Sequence, residues 1–277
     1  MRIIVDAPGQ TCNRLWSYLD TLAWAIANGK RVGIWFWDPS IRYFDALRNG
    51  KFSRFPFYSE RLIKRLGEGR YLTYLFYIFD NGLLHRFYRT KLAERLGLIC
   101  GWEHRNDSQW HPKVREKVLE VFRPNQNICD DVEALFDMQA TDCEVIGIHI
   151  RRGDYDTFAD GRFFFSLEEY AAMMRRLSAM LKEAHPEKRY RFFISTNETL
   201  NPDTFAGLDY FVNPRGVTAI HDLYGLSKCD YILGPVSTFS MWAAWYGAKK
   251  LCQVGRETLD RFALDDFKIP SGFFQNW

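Results

Sequence analysis

Two arginines stand together at positions 151 and 152, in the segment 145–155, V-I-G-I-H-I-R-R-G-D-Y. A guanidinium makes two-point contacts to phosphate oxygens and keeps its charge throughout. The pair is therefore a candidate clamp for a diphosphate. His149 and Asp154 flank it, and alternation along an extended chain sends His149 and Arg151 to one face and Arg152 to the other. Other readings of the same residues stay open at this point. One is a surface cluster in which Asp154 pairs with Arg152. Another is an exposed Arg152-Gly153-Asp154 adhesion tripeptide. Asp154-Tyr155-Asp156 also has the form of a metal-holding D-x-D, although two adjacent arginines would partly neutralise it.

Three more groups have suitable chemistry. Gly234-Pro235-Val236-Ser237-Thr238-Phe239 sets hydroxyls at a helix start, where free amides and the helix dipole favour an anion. Ser237 or Thr238 is equally an N-cap. Ser195-Thr196-Asn197-Glu198 and Asn213-Pro214-Arg215-Gly216 offer polar groups to a base or ribose, or serve as turns. Gly9-Gln10-Thr11-Cys12-Asn13-Arg14 forms a loop that leads into a helix.

The elements that must hold these groups follow from periodicity. Arg2 to Asp6 reads as a strand, and Leu15, Leu19, Leu22 and Ile26 mark one face of the helix after it. Asn28-Gly29 stops that helix, and Val32 to Trp37 is the next strand. From 50 to 140 the alternation fades, and helices are expected near 59–66, 70–80, 83–97, 112–122 and 130–139. It returns with strands at Val145–Ile150, Tyr190–Ser195, Tyr210–Val212, Tyr231–Leu233 and Leu251–Val254. Ser166-Leu167-Glu168-Glu169 is a capping box that opens a helix with Leu167, Tyr170, Met174, Leu177 and Leu181 on one side. Further helices fall at 220–228 and 238–246. The fold class is α/β, with two doubly wound, Rossmann-like domains. They are 1–140, with a helical insertion over about 50–140, and 141–277. Ligands of such sheets bind beyond the carboxyl ends of the strands, and every candidate group above follows a strand.

Composition bounds the function class. The chain has 277 residues, 47% hydrophobic and 17% aromatic, which suits a sizeable core. A net charge of only +3 gives no global field for nucleic acid. The six cysteines contain no C-x-x-C, so neither a zinc site nor a dense disulfide framework is expected. The run from Tyr71 to Phe79 is too short to span a bilayer, and no secretory signal is evident at Met1 to Asp6. A soluble, cytoplasmic protein is expected. Between Lys51 and Arg95 basic residues outnumber acidic ones and aromatic residues are interleaved. This is either a solvated helical face over an aromatic core, or a patch for an acceptor or weak membrane-surface contact.

Gly147-Ile148-His149-Ile150-Arg151-Arg152-Gly153-Asp154-Tyr155 resembles the H-x-R-R-G-D-Y motif of α1,2-fucosyltransferases, glycosyltransferase family 11, within the wider α1,2/α1,6/protein O-fucosyltransferase group. Asp222-Leu223-Tyr224, Ser227 and Cys229, then Ser237-Thr238-Phe239-Ser240-Met241-Trp242, resemble later motifs in the same order. Gly9 to Arg14 resembles the opening G-x-x-G-N-Q. The resemblance implies a GT-B architecture, two domains facing a cleft. It implies transfer of L-fucose from GDP-fucose to a glycan hydroxyl, with an α1,2 linkage; a fixed arginine and helix-start amides can neutralise the leaving phosphate without a metal, so metal-independent transfer with inversion is expected. Carried over, Arg151 would stabilise the departing GDP. Asp154, Asp156 and Asp160 are the nearby candidates for a base on the acceptor hydroxyl, of which Asp154 is taken as the second catalytic group. His149 and Arg152 would order the pocket. Ser237, Thr238 and Phe239 would line the phosphates and fucose, and Gly9, Asn13 and Arg14 would contribute from the first domain. Asn197 stands where relatives often have an aspartate that reads guanine, and an amide accepts only one such bond well. No cofactor or metal is implied; the partners are a nucleotide sugar and a glycan or lipid-linked glycan, not nucleic acid. Another nucleotide sugar as donor, a catalytically dead sugar-nucleotide binder and a non-enzymatic adhesion ligand remain the alternatives.

Overall fold

A computed structural model describes residues 1–50, 52–79, 82–106 and 109–273 of the chain. Lys51 and Asp80, which the sequence reading includes in its basic segment and its helix 70–80, lie outside the described residues. The chain divides into two units, Met1–Asn125 and Gln126–Trp277. The division falls earlier than the expected 140. The helix Gln126–Gln139 belongs with the second unit because its Cys129 and Val132 pack with Tyr224.

The first unit carries a parallel sheet of β1 (Arg2–Ile4), β2 (Val32–Ile34), β3 (Ser53–Arg54) and β4 (Leu98–Ile99), in the order β3-β2-β1-β4. Helix α1 (Thr11–Ala27) crosses from β1 to β2. The segment from β2 to β4 holds α2 (Asp45–Arg48), α3 (Glu60–Leu66), α4 (Glu68–Phe79), α5 (Gly82–Tyr88) and α6 (Lys91–Arg95), and α7 (Arg115–Val121) follows β4. The stripe Leu15, Leu19, Leu22 and Ile26 is buried as its spacing requires. Most of the rest of α1 is buried too, because α7 and the turn His111–Val114 pack on α1 as well; Tyr18 reaches the loop after β2, its hydroxyl donating to the Phe36 carbonyl at 2.7 Å. The expected helix 83–97 is broken at Thr90, whose hydroxyl caps α6 by accepting from the Ala93 amide at 3.2 Å.

Among the described residues the second unit has five parallel strands: β5 (Glu144–His149), β6 (Tyr190–Ser195), β7 (Tyr210–Val212), β8 (Tyr231–Pro235) and β9 (Lys250–Val254). Their order is β7-β6-β5-β8-β9. The helices are α8 (Gln126–Gln139), α9 (Leu167–Ala184), α10 (Ala219–Lys228) and α11 (Thr238–Gly247). The capping box forms as read: the Glu169 amide donates to Ser166 Oγ at 3.2 Å, and the Ser166 amide to Glu169 Oε2 at 2.7 Å. Tyr170, Met174, Leu177 and Leu181 of α9 then close over Ile146, Ile148, Phe192 and Ile194 of the sheet. Both sheets are parallel and flanked by helices, the α/β class expected.

Two glycines let the chain come close around β5. A Cβ on Gly147 would lie 2.8 Å from Leu226 Cδ2, so α10 packs directly on the strand. A Cβ on Gly234 would lie 2.8 Å from the His149 carbonyl oxygen and 3.0 Å from its Cβ. Backbone is the obstacle at Gly234, and backbone does not yield cheaply. Gly234→Ala is therefore expected to destabilise the protein by about 1–3 kcal/mol, read as a lowered thermal midpoint. An unchanged midpoint would show that β5 and β8 separate at no cost.

Candidate active site

The chain runs from β5 to β6 and β7 on one side and then returns to place β8 and β9 on the other. The loops leaving β5 and β8 therefore diverge, and the gap between their carboxyl ends is where such sheets take ligands. His149 ends β5 there. Its ring is buried and stacked on Phe239, with centroids 5.0 Å apart and planes at 26°. Burial, reinforced by the Arg151 charge, pushes the imidazole down to about 3. The ring is neutral at ordinary pH, and its Nδ1 has no hydrogen-bond partner among the described residues.

The two arginines part immediately beyond it. The Arg151 amide donates to the Tyr170 hydroxyl at 3.2 Å, its guanidinium meets Asp154 Oδ1 at 2.7 Å, and it lies 5.5 Å from the centre of the Tyr155 ring. The Tyr155 hydroxyl donates to the Val236 carbonyl at 2.9 Å, which ties the loop after β5 to the loop after β8. Burial raises that phenol above its usual range. Arg152 turns the other way, to Glu198 at 2.8 Å, and lies over Phe164. Asp154 thus holds Arg151, not Arg152 as the sequence suggested. The cause is the separation of faces: Arg152 points to the β6 side, where Glu198 waits. The Arg-Gly-Asp tripeptide is divided between two ion pairs and is not displayed as one ligand.

Ser237 caps α11, its hydroxyl accepting from the Phe239 amide at 3.2 Å. Gln253 Nε2 donates to the Ser237 carbonyl at 2.8 Å and fixes the turn. Thr238 and Phe239 open the helix, so all three sequence candidates sit at its amino end, beside His149. The N-cap reading holds for Ser237.

Beyond β6 and β7 lies a cleft of about 620 Å³, lined by Thr196, Asn197, Glu198, Asn213, Arg215 and Asp222 among others. Glu198 joins it to the arginine loop through Arg152. Asp222 accepts from Ser195 Oγ at 3.2 Å and from Asn213 Nδ2 at 2.5 Å. Burial raises its carboxyl, and the hydrogen bonds oppose the rise. The sequence reading noted Asp222 only as a motif letter. Its signal was a carboxylate in the first turn of a helix that follows a parallel strand.

In the first unit, Gly9 has φ +45°, and a Cβ there would lie 2.3 Å from Asn13 Nδ2. Arg14 is turned inward. It donates to the Trp37 carbonyl at 2.5 Å and the Gly9 carbonyl at 3.4 Å, and it is buried. Its charge fixes the loops after β1 and β2 inside its own unit. Asp6, which the sequence reading treated only as a strand residue, accepts the Gly101 and Trp102 amides at 2.9 and 2.7 Å and joins the loops after β1 and β4. Burial raises its carboxyl.

Residues 109–277, more than half of the chain, match the model of Glycosyl transferase family 11. The chain belongs to glycosyl transferase family 11. It is 24% identical over 155 residues to the O-antigen biosynthesis glycosyltransferase WbnK of Escherichia coli, a match covering 53% of this chain and 50% of that protein. The chain thus spans about half the length of that curated relative. Among solved structures it resembles the NodZ α-1,6-fucosyltransferase soaked with GDP-fucose, with a TM-score of 0.56, 16% identity and 96% of each chain covered. It also resembles fucosyltransferase NodZ from Bradyrhizobium (0.52, 15%, 91% of this chain and 94% of that one). A third is the glycosyl transferase family 9 protein from Veillonella parvula DSM 2008 (0.53, 11%, 91% and 80%). At these identities the likeness is one of fold.

His149 carries a pH signature. Unfolded, His149 takes its proton near 6.5; folded, only near 3. Between those values the unfolded chain binds more protons, so the stability gained by burying the neutral ring is whole above about pH 6.5 and is lost as pH falls toward 3. His149→Phe keeps the stack on Phe239 and removes the titration. Between pH 7 and 4.5 the unaltered protein should lose about 2–3 kcal/mol more than the variant, measured by denaturant midpoints. Parallel pH profiles would contradict a buried neutral imidazole.

Proposed function

We propose that this family 11 chain transfers L-fucose from GDP-fucose to a hydroxyl of a glycan acceptor, with inversion and without a metal. The observation that carries the reading is Arg151, held by Asp154 and Tyr155 at the end of β5, beside the Ser237-capped start of α11. In the reaction the acceptor hydroxyl oxygen bonds to the anomeric carbon from the face opposite GDP and gives up its proton to water. The bond from that carbon to the β-phosphate oxygen breaks, and its electron pair stays on the phosphate. Arg151 and the helix-start amides are fixed groups of the right sign to meet that charge, and fixed charges cost no reorganisation during reaction. Asp154 orients Arg151, His149 and Phe239 form the apolar floor, and Arg152 with Glu198 borders the nucleoside cleft.

Asp222 supports guanine as the base. Guanine offers two adjacent N–H donors, and a carboxylate accepts both, whereas the Asn197 amide offers one acceptor. In the first unit we assign Gly9 and Asn13 to substrate binding and Arg14 to holding their loop. The acceptor we assign is a glycan or lipid-linked glycan, joined in α1,2 linkage. The compartment is the cytoplasm, whose reducing conditions suit six free thiols.

Calorimetry with GDP, UDP and CMP nucleotides tests the donor: GDP and GDP-fucose should bind preferentially, and tighter uridine binding would sink the reading. Transfer or donor hydrolysis should survive EDTA; a loss restored by manganese would make Asp154 and Asp156 metal ligands. Arg151→Ala should lower kcat by about 10²–10³, the scale of removing one preorganised donor. GDP affinity should fall less, since the Ser237 turn remains. Arg151→Lys should recover part of the rate, keeping charge without the planar fork. Near-normal kcat in folded Arg151→Ala protein would remove Arg151 from the chemistry.

A further inference from the structure

The helices α3 to α6 of the first unit present an outer surface that nothing in the transfer reading uses. Residues 60–96 hold eight Lys/Arg against four Asp/Glu, a surplus of four in a chain whose whole net charge is +3. All of the protein's excess positive charge is therefore in this segment. Two of the four carboxylates are engaged elsewhere. Glu60 pairs with Arg48 and Glu68 with Arg42, both arginines from outside the segment. Arg61, Lys64, Arg65 and Arg70 have no acidic partner among the described residues.

The same surface is unusually apolar. Eight of the fourteen exposed large hydrophobic side chains among the described residues fall between Leu62 and Leu96. In α4 the inward face is Tyr71, Leu72 and Leu75. Helical spacing puts Arg70, Tyr74 and Tyr77 one above another on the opposite face. Tyr77 is 83% exposed, and Leu83 at the start of α5 is 80% exposed. Leu92 and Leu96 extend the apolar character along α6. A purely solvated face has no use for these side chains. A nucleic-acid face would use the charge but not the leucines.

We propose that the outer surface of α3 to α6 docks on a lipid bilayer with anionic headgroups. Tyrosine and leucine side chains enter the headgroup boundary, and the unpaired arginines and lysine meet lipid phosphates. The protein lies on the bilayer without spanning it: no helix among the described residues is long and apolar enough to cross a membrane. The inference goes beyond the transfer reading and its test does not need that reading to hold.

The test is flotation of the full chain with vesicles of phosphatidylcholine alone, and of phosphatidylcholine mixed equally with phosphatidylglycerol. The protein should float with the mixed vesicles, far less with the neutral ones, and less at high salt. Each basic residue near such a surface strengthens partitioning about fivefold. Arg61→Glu/Lys64→Glu/Arg65→Glu should therefore weaken it more than about 100-fold. Tyr77→Ser/Leu83→Ser keeps the charge and should also lose binding, while thermal melting shows both variants folded. Failure of the folded, unaltered protein to float with mixed vesicles would overturn the proposal. So would full binding by Tyr77→Ser/Leu83→Ser, which would mean charge adsorption alone. Dimerisation abolished by the same substitutions, without lipid binding, would assign the surface to a second copy of the chain instead.

Discussion

The second unit depends on one pairing: β5 bonds to β6 along one edge and to β8 along the other. Parallel neighbours on both sides leave β5 no solvated edge, so its residues from Val145 to His149 are buried. The chain must leave β5 in one direction and return to it from the other. Divergent loops result, and polar side chains reach open space only at the strand ends. His149, Arg151 and Arg152 sit where burial gives way to that space. Burial explains the neutral imidazole, and the opening explains how Arg151 keeps part of its guanidinium exposed.

Beside the ion pairs of Arg151 and Arg152, the loops are fixed by ties from side chain to backbone. Tyr155 to Val236 and Gln253 to Ser237 act in the second unit; Arg14 to Trp37 and Asp6 to Gly101 act in the first. Such ties satisfy carbonyls and amides that irregular backbone would otherwise leave unpaired. They also hold the arginine loop in place before any ligand arrives, so that binding need not order it.

The parts legible in sequence were those with a repeated signal. Five strands of the second unit, the capping box at Ser166 and the start of α11 each rest on several residues agreeing. The strands β3 and β4 did not show, because two residues are too few to alternate. Arg14 reads as an exposed binding residue until the Trp37 and Gly9 carbonyls are seen around it. Partner choice is the least legible feature. Asp154 is near both arginines in sequence, and only the direction of each side chain separates them. The placement of α8 likewise turns on Cys129 and Val132 meeting Tyr224, about 90 residues away in sequence.

The double covering of α1 bears on synthesis. Its apolar stripe waits for β2, which follows within a few residues. The part of α1 that α7 covers waits longer, because α7 emerges about 90 residues after the helix ends. At ribosomal speeds that interval is about 5–20 s. For that time a formed α1 lacks one of its covers. Until α7 arrives, the nascent first half of this protein carries an unfinished core.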